Sequence, residues 1–285
     1  MGDQALAIAL GLISAFSLAL TNLVVKRGDD ILVARALLSS SAAIVIAPFA
    51  LIVPLPDAAT WAALAWAVPA HFAYQICLVR AMQRGDLSLV FPIMRGVAPL
   101  LTAGFAVLVL REHLPLIGWI GLLIATGAVI VFALPARGVT FAAHPDKVAL
   151  GWAFATAIGV ALYNMADARG VRVAPSPFTY IVWLFMLDSV CITTTALLLR
   201  RRELGRAVKA TWKHGVAAGA LSSVSFGSAL YAFSLMEVAK VSALRETAVV
   251  WAALMGAWML GEGFGSRRIA AAVVLAFGLI LLQFS

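Results

Sequence analysis

A few polar side chains stand inside long apolar runs at spacings that put their chemistry on one side of a helix. His71, Tyr74 and Gln75, with Leu78 after them, fall at i, i+3, i+4 and i+7, which is one face of an α-helix. An imidazole, a phenol and a carboxamide on one stripe can hydrogen-bond a polar or zwitterionic ligand in a water-filled cavity. Their competing role is hydrogen bonding to neighbouring helices. Tyr163 and Asn164 offer a second phenol and amide, and Asn22 offers an amide at the matching place in the first run. Arg95 and Arg245 also lie within apolar runs. A guanidinium there keeps its charge and needs an acid, a carbonyl or a substrate carboxylate, which it can grip bidentately. Glu246 adjoins Arg245 but points about 100 degrees away around an ideal helix, so it is a poor partner for it. Asp188 is either a proton-relay carboxyl or a neutral acid bonded to its surroundings. Trp251 either flanks a cavity or packs. Pro92 and Pro99 loosen their helix and suggest a hinge.

Positioning such groups takes membrane-spanning elements. Of 285 residues, 63% are hydrophobic and 12% charged, against roughly 45–50% and ~25% in soluble domains. So few charges cannot cover a soluble fold of this size, which excludes a soluble enzyme and a nucleic-acid-binding protein. The net charge of +8 then serves to orient loops. Cys77 and Cys191 both lie in apolar runs and indicate neither a disulfide framework nor a metal site. The N-terminus lacks the basic region of a signal peptide and reads as a retained first helix. Breaks at charge, Pro and Gly leave ten spans, near 4–25, 31–53, 60–82, 88–110, 114–134, 148–168, 177–199, 214–236, 239–260 and 267–284. The stretch 200–215 reads as a loop or short surface helix. HExxH, GxSxG and P-loop motifs are missing, so no enzyme activity, cofactor or ATP use is expected.

The two sets of five spans are alike. A shift of 150 residues carries Arg95 onto Arg245, Leu110 onto Leu260, Glu112 onto Glu262 and Ile130 onto Ile280. The counterparts of the polar stripe are Leu221, Val224, Ser225 and Ser228, a smaller and more apolar wall, so a cavity between the halves would be asymmetric. An odd number of spans per copy inverts the second copy in the membrane, a recurring plan of secondary transporters with a midplane site. Loops after odd-numbered spans carry Lys26, Arg27, Arg80, Arg84, Arg137, Lys147, Arg200, Arg201, Arg202, Arg206, Lys209, Lys213, Arg267 and Arg268. Loops after even-numbered spans carry only Arg111, Arg169, Arg172 and Lys240. If positive loops stay inside, both termini face outward.

The segments LVLREHLPLIGWIGLLIATGAVIVF (108–132) and WMLGEGFGSRRIAAAVVLAFGLILL (258–282) share a pattern: a helix ending in Glu112 or Glu262, a polar turn, then a Gly- and Ala-rich helix. With ten spans in two halves, this resembles the EamA-type members of the drug/metabolite transporter superfamily, and among them the YddG-type exporters of aromatic amino acids. The resemblance implies an all-α basket of two inverted five-helix repeats, here 1–136 and 147–285, in a bacterial-type inner membrane. It implies a central cavity lined by the first, third and fourth helix of each repeat, and termini in the cytoplasm, against the charge count. It also implies export of small metabolites, amino acids above all, by alternating access; the alternative is a broad drug exporter, and an intramembrane enzyme ranks below both. The expected substrate-binding residues are His71, Tyr74, Gln75, Tyr163, Asn164, Ser225, Arg245 and Trp251. The expected gate or hinge residues are Asn22, Pro92, Arg95 and Pro99.

Overall fold

A computed structural model describes residues 2–25, 30–84, 87–133, 147–260 and 266–285. Regular structure among them is helical throughout. The first half folds as α1 (Gly2–Val25), α2 (Ile31–Ile46) with a 3-10 extension (Ala47–Leu51), α3 (Ala58–Arg84), α4 (Leu87–Val109) and α5 (Leu116–Ala133). The second half folds as α6 (Lys147–Val173), α7 (Pro177–Leu199), α8 (Arg201–Leu235), α9 (Val238–Arg245), α10 (Ala248–Leu260) and α11 (Ser266–Gln283). Among the described residues, seven helices are long and apolar enough to cross a membrane, and Met94–Val109 and Leu116–Phe132 are shorter apolar segments. Leu51, Trp66, Leu108, Leu198 and Phe284 project large apolar side chains outward, a surface that suits lipid.

Helix starts follow local chemistry. Asp30 accepts from the Leu32 and Val33 amides at 2.9 and 3.2 Å to open α2, and Ser176 with Pro177 behind it opens α7. Asp57 accepts from both the amide and the hydroxyl of Thr60 at 2.8 and 2.6 Å ahead of α3. That hydroxyl bond, with the amide bond beside it, holds the Asp57 carboxyl below its ordinary value. Beyond α4, Arg111 takes a left-handed conformation (φ 57°). Glu112 then accepts from Arg172 of α6 at 2.7 Å and from the Val238 amide that starts α9 at 2.9 Å. Its counterpart Glu262 lies outside the described residues.

Two expectations need correction. The stretch 200–215 is neither a loop nor a separate surface helix: it is continuous with span eight in the 35-residue α8. At 1.5 Å per residue, α8 is about 52 Å long, well beyond a ~30 Å hydrocarbon core. The ninth span is not one helix over 239–260 but two, split at Glu246 and Thr247. There the amides reach back only three residues, to Ala243 and Leu244 at 3.1 Å each. The Thr247 hydroxyl also donates to the Leu244 carbonyl at 2.8 Å. By contrast α4 runs unbroken through Pro92 and Pro99; the Pro92 side chain is outside the described set.

The helices pack in pairs that map onto each other when the halves are exchanged: α3 lies against α6, and its counterpart α8 lies against α1. The fifth helices, α5 and α11, pack on each other directly. A Cβ at Gly121 would stand 2.7 Å from the Gly278 carbonyl oxygen, and one at Gly278 would stand 2.7 Å from that of Gly121. Only glycine at both places allows this approach, the usual way helices associate where lipid offers no hydrophobic driving force.

Candidate functional site

Between the halves lies a cavity of about 140 Å³, room for several waters or a small solute. His71, Tyr74 and Gln75, from the stripe on α3, form one wall. Tyr163 of α6, Ser225 and Phe226 of α8, and Arg245 at the end of α9 face it. The rest comes from Leu18 and Thr21 of α1 and from the second helix of each half: Arg35 and Ser39 from α2, and Phe185 and Asp188 from α7. This corrects the expected lining. Both second helices contribute, because α2 and α7 pack against each other rather than outside the bundle, and among the described residues none from α4 is in the lining.

Two hydrogen-bonded clusters reach this space. In the first, Asp167 of α6 is fully buried and receives the Tyr180 hydroxyl at 2.9 Å. His71 Nε2 lies 2.9 and 3.2 Å from its two oxygens. The His71 ring stacks on Tyr163 at 4.3 Å and meets the edge of Phe226 at 5.5 Å. A Cβ at Gly170 would strike the Tyr180 ring, so glycine there leaves Tyr180 room to reach Asp167. In the second cluster, Gln75 donates its amide nitrogen to both oxygens of Asp188, at 2.9 and 3.0 Å. Its oxygen accepts from Arg35 Nη2 at 3.4 Å. The Arg35 guanidinium lies 5.9 Å from the Tyr74 ring centre, and that of Arg245 lies 5.3 Å from the Phe226 ring centre, both within cation–π range. The Nε atoms of both arginines are buried without a partner.

Of the expected substrate-binding residues, six line the cavity: His71, Tyr74, Gln75, Tyr163, Ser225 and Arg245. The Ser225 hydroxyl is engaged, donating to the Ser14 carbonyl at 2.8 Å and tying α8 to α1. Asn164 and Trp251 are not in the lining. Asn164 is buried and donates to the Thr102 hydroxyl at 3.2 Å. Trp251 is 36% exposed and meets the edge of Phe16 at 5.3 Å. Of the gate or hinge set, Arg95 pairs with Glu246 at 3.4 Å, joining α4 to the break in the ninth span, and Pro99 lies beside that pair. The Asn22 side chain is outside the described set.

Sequence reasoning missed Arg35, Asp167, Tyr180 and Phe226. Arg35 had a signal, a lone arginine one turn into an apolar run, the criterion that picked out Arg95 and Arg245. Asp167 was masked by its neighbours, because ADARGVRV reads as the polar end of a span although α6 continues through it.

Comparison with known proteins bears on the whole chain. The model of the EamA-like transporter family matches residues 5–134 and, separately, 147–284. Among solved structures, one described as "Crystal structure of protein" superposes with a TM-score of 0.78 at 17% identity, covering 100% of this chain and 97% of that one, a likeness of fold. No curated protein matches.

Proposed function

Because the chain belongs to the EamA-like transporter family, and is thus a multi-pass membrane transporter of small molecules, we propose that its cargo is amino acids with aromatic or large neutral side chains. It exports them by alternating access between two inverted five-helix repeats, 1–136 and 147–285, in a bacterial-type inner membrane. The ninth span, split into α9 and α10, counts as one of ten crossings. The observation that carries this reading is the make-up of the cavity wall: four aromatic rings, from Tyr74, Tyr163, Phe185 and Phe226, share it with Arg35, Arg245 and Asp188. An amino acid of this class brings a flat or bulky apolar group together with one charge of each sign. Each favourable ring pair is worth about 0.5–1.5 kcal/mol beyond burial. Charge-assisted bonds to the two ends add about 1.5–3 kcal/mol each. The exchange-related packing of α3 on α6 and α8 on α1 supports the two-repeat arrangement, and the split ninth span suits the broken helices found at transporter midplane sites.

Proteoliposome uptake with labelled amino acids and cationic drugs tests the reading. Saturable uptake of phenylalanine, tryptophan or leucine, with little uptake of threonine, is expected. Uptake of the drugs in preference to every amino acid would replace this reading with a broad drug exporter.

A further inference from the structure

Gln75 is nearly fully buried, and it bridges a cation to an anion across the cavity wall. Its oxygen takes a long bond from Arg35, and its nitrogen gives two shorter ones to Asp188. The amide thus presents an acceptor to the guanidinium and a donor to the carboxylate, the polarity an α-amino acid presents through its carboxylate and ammonium. In the amide, one carbon separates the two atoms; in the amino acid, two do, so the zwitterion spans the same pair with slightly more reach.

The two charged groups are not used up by the amide. Arg35 Nε is buried and has no partner. It lies on the same edge of the guanidinium as Nη2, the nitrogen that holds Gln75. A carboxylate approaching that edge would accept from both nitrogens, the bidentate geometry that arginine favours, and would satisfy an orphan donor that a single amide oxygen leaves open. Asp188, with both oxygens already accepting, can exchange the amide's donors for those of an ammonium group.

We propose that Arg35 and Asp188 form a seat for the α-carboxylate and α-ammonium of the transported amino acid, and that the Gln75 carboxamide fills this seat in the substrate-free protein. The inference rests on the amino-acid reading above and adds which residues recognise the head group. Tyr74 lies beneath the Arg35 guanidinium, and Phe185 lies one turn before Asp188 on the same face of α7. A substrate side chain leaving the seat meets aromatic surface first. Arg245, under Phe226, stands apart from this seat.

The test uses three ligands that differ only in their charged ends: phenylalanine, 2-phenylethylamine without the carboxylate, and 3-phenylpropionate without the amine. Each is titrated calorimetrically into the purified full-length protein and its variants. The wild-type protein should bind phenylalanine roughly ten- to a hundredfold more tightly than either analogue. Asp188→Asn should weaken phenylalanine and phenylethylamine by about that factor and spare phenylpropionate. Arg35→Gln should weaken phenylalanine and phenylpropionate and spare phenylethylamine. Arg35→Lys, which keeps the charge but loses the two-pronged edge, should fall between Arg35→Gln and wild type. Variants that melt like the wild type yet weaken all three ligands alike, or none, would overturn the seat while leaving the amino-acid reading in place. A wild-type protein that binds none of the three overturns the amino-acid reading itself. Should Asp188→Asn fail to fold, Asp188→Glu keeps the test open: loss of the amine-bearing ligands' advantage supports the seat, and a uniform loss overturns it.

Discussion

Gly278→Ala should force α5 and α11 apart. A β-carbon at Gly278 stands 2.6 Å from the Ala125 amide nitrogen and 2.7 Å from the Gly121 carbonyl oxygen, where ordinary contact is 3.4–4 Å. Both obstacles are backbone, so no side-chain rotation relieves them. Moving the nearer from 2.6 to 3.4 Å takes about 0.8 Å of separation. A gap of ~0.5–1 Å already forfeits a quarter to a half of the dispersion attraction across a contact, and lipid supplies no hydrophobic force to close it. Overpacking costs about 1–3 kcal/mol, and the upper end applies to a backbone clash. Alanine returns about 1 kcal/mol of helix propensity, which leaves a net loss of about 2 kcal/mol. Gly127→Ala is the matched control on α5: its β-carbon meets nothing within 4 Å, so only the propensity gain remains. Thermal melts of the detergent-solubilised protein, followed by circular dichroism, should place Gly278→Ala below the wild type and Gly127→Ala at or above it. A Gly278→Ala protein that melts as high as Gly127→Ala would show that the α5–α11 contact is not the close one described.

Asp167→Ala should destabilise the protein by about 3–5 kcal/mol, because it leaves His71 and the Tyr180 hydroxyl buried without their shared partner. Tyr180→Phe, which removes one bond, should cost about 1 kcal/mol, and equal melting temperatures for the two variants would contradict this ordering. A C-terminal fusion to a reporter that fluoresces only in the cytoplasm should stay dark, as the loop charges require. Bright cells would reverse the orientation without changing the number of crossings.

What could be read from residues alone followed from how local the signal was. The apolar runs that became α1, α3 and α7 are long enough to reveal themselves, and the stripe of His71, Tyr74 and Gln75 needs only helical spacing to share a face. The break after Arg245 left no mark, because Arg-Glu-Thr contains neither Gly nor Pro, while Pro92 and Pro99 advertised a discontinuity in a helix that runs through both. Partners far apart in the chain were equally hidden. Glu246 was a poor match for adjacent Arg245, and spacing could not show that Arg95 would come alongside it at 3.4 Å. Nor could it show that Asp167 would lie against a histidine 96 residues earlier.

The divided ninth span has a consequence for how the protein is made. Its pieces have 8 and 13 residues, about 12 and 20 Å of helix, each short of a ~30 Å hydrocarbon core. The shorter piece carries Lys240 and Arg245, and Val238 to Leu244 are all buried in protein. A segment like this gains little by partitioning into lipid on its own, since each charge costs about 2.5–3.5 kcal/mol at the centre of the bilayer. Of its neighbours, α1, α4, α6 and α8 precede it in the chain and α11 follows it. By the time the ribosome delivers α9, the Phe226 ring that meets Arg245 already stands, whereas Lys240 reaches the Ser285 carbonyl at 3.1 Å only once α11 has followed. A span of this kind would enter the bilayer by docking onto helices already made and be completed by α11, so the order of synthesis would take over part of the task that hydrophobicity performs for the earlier helices.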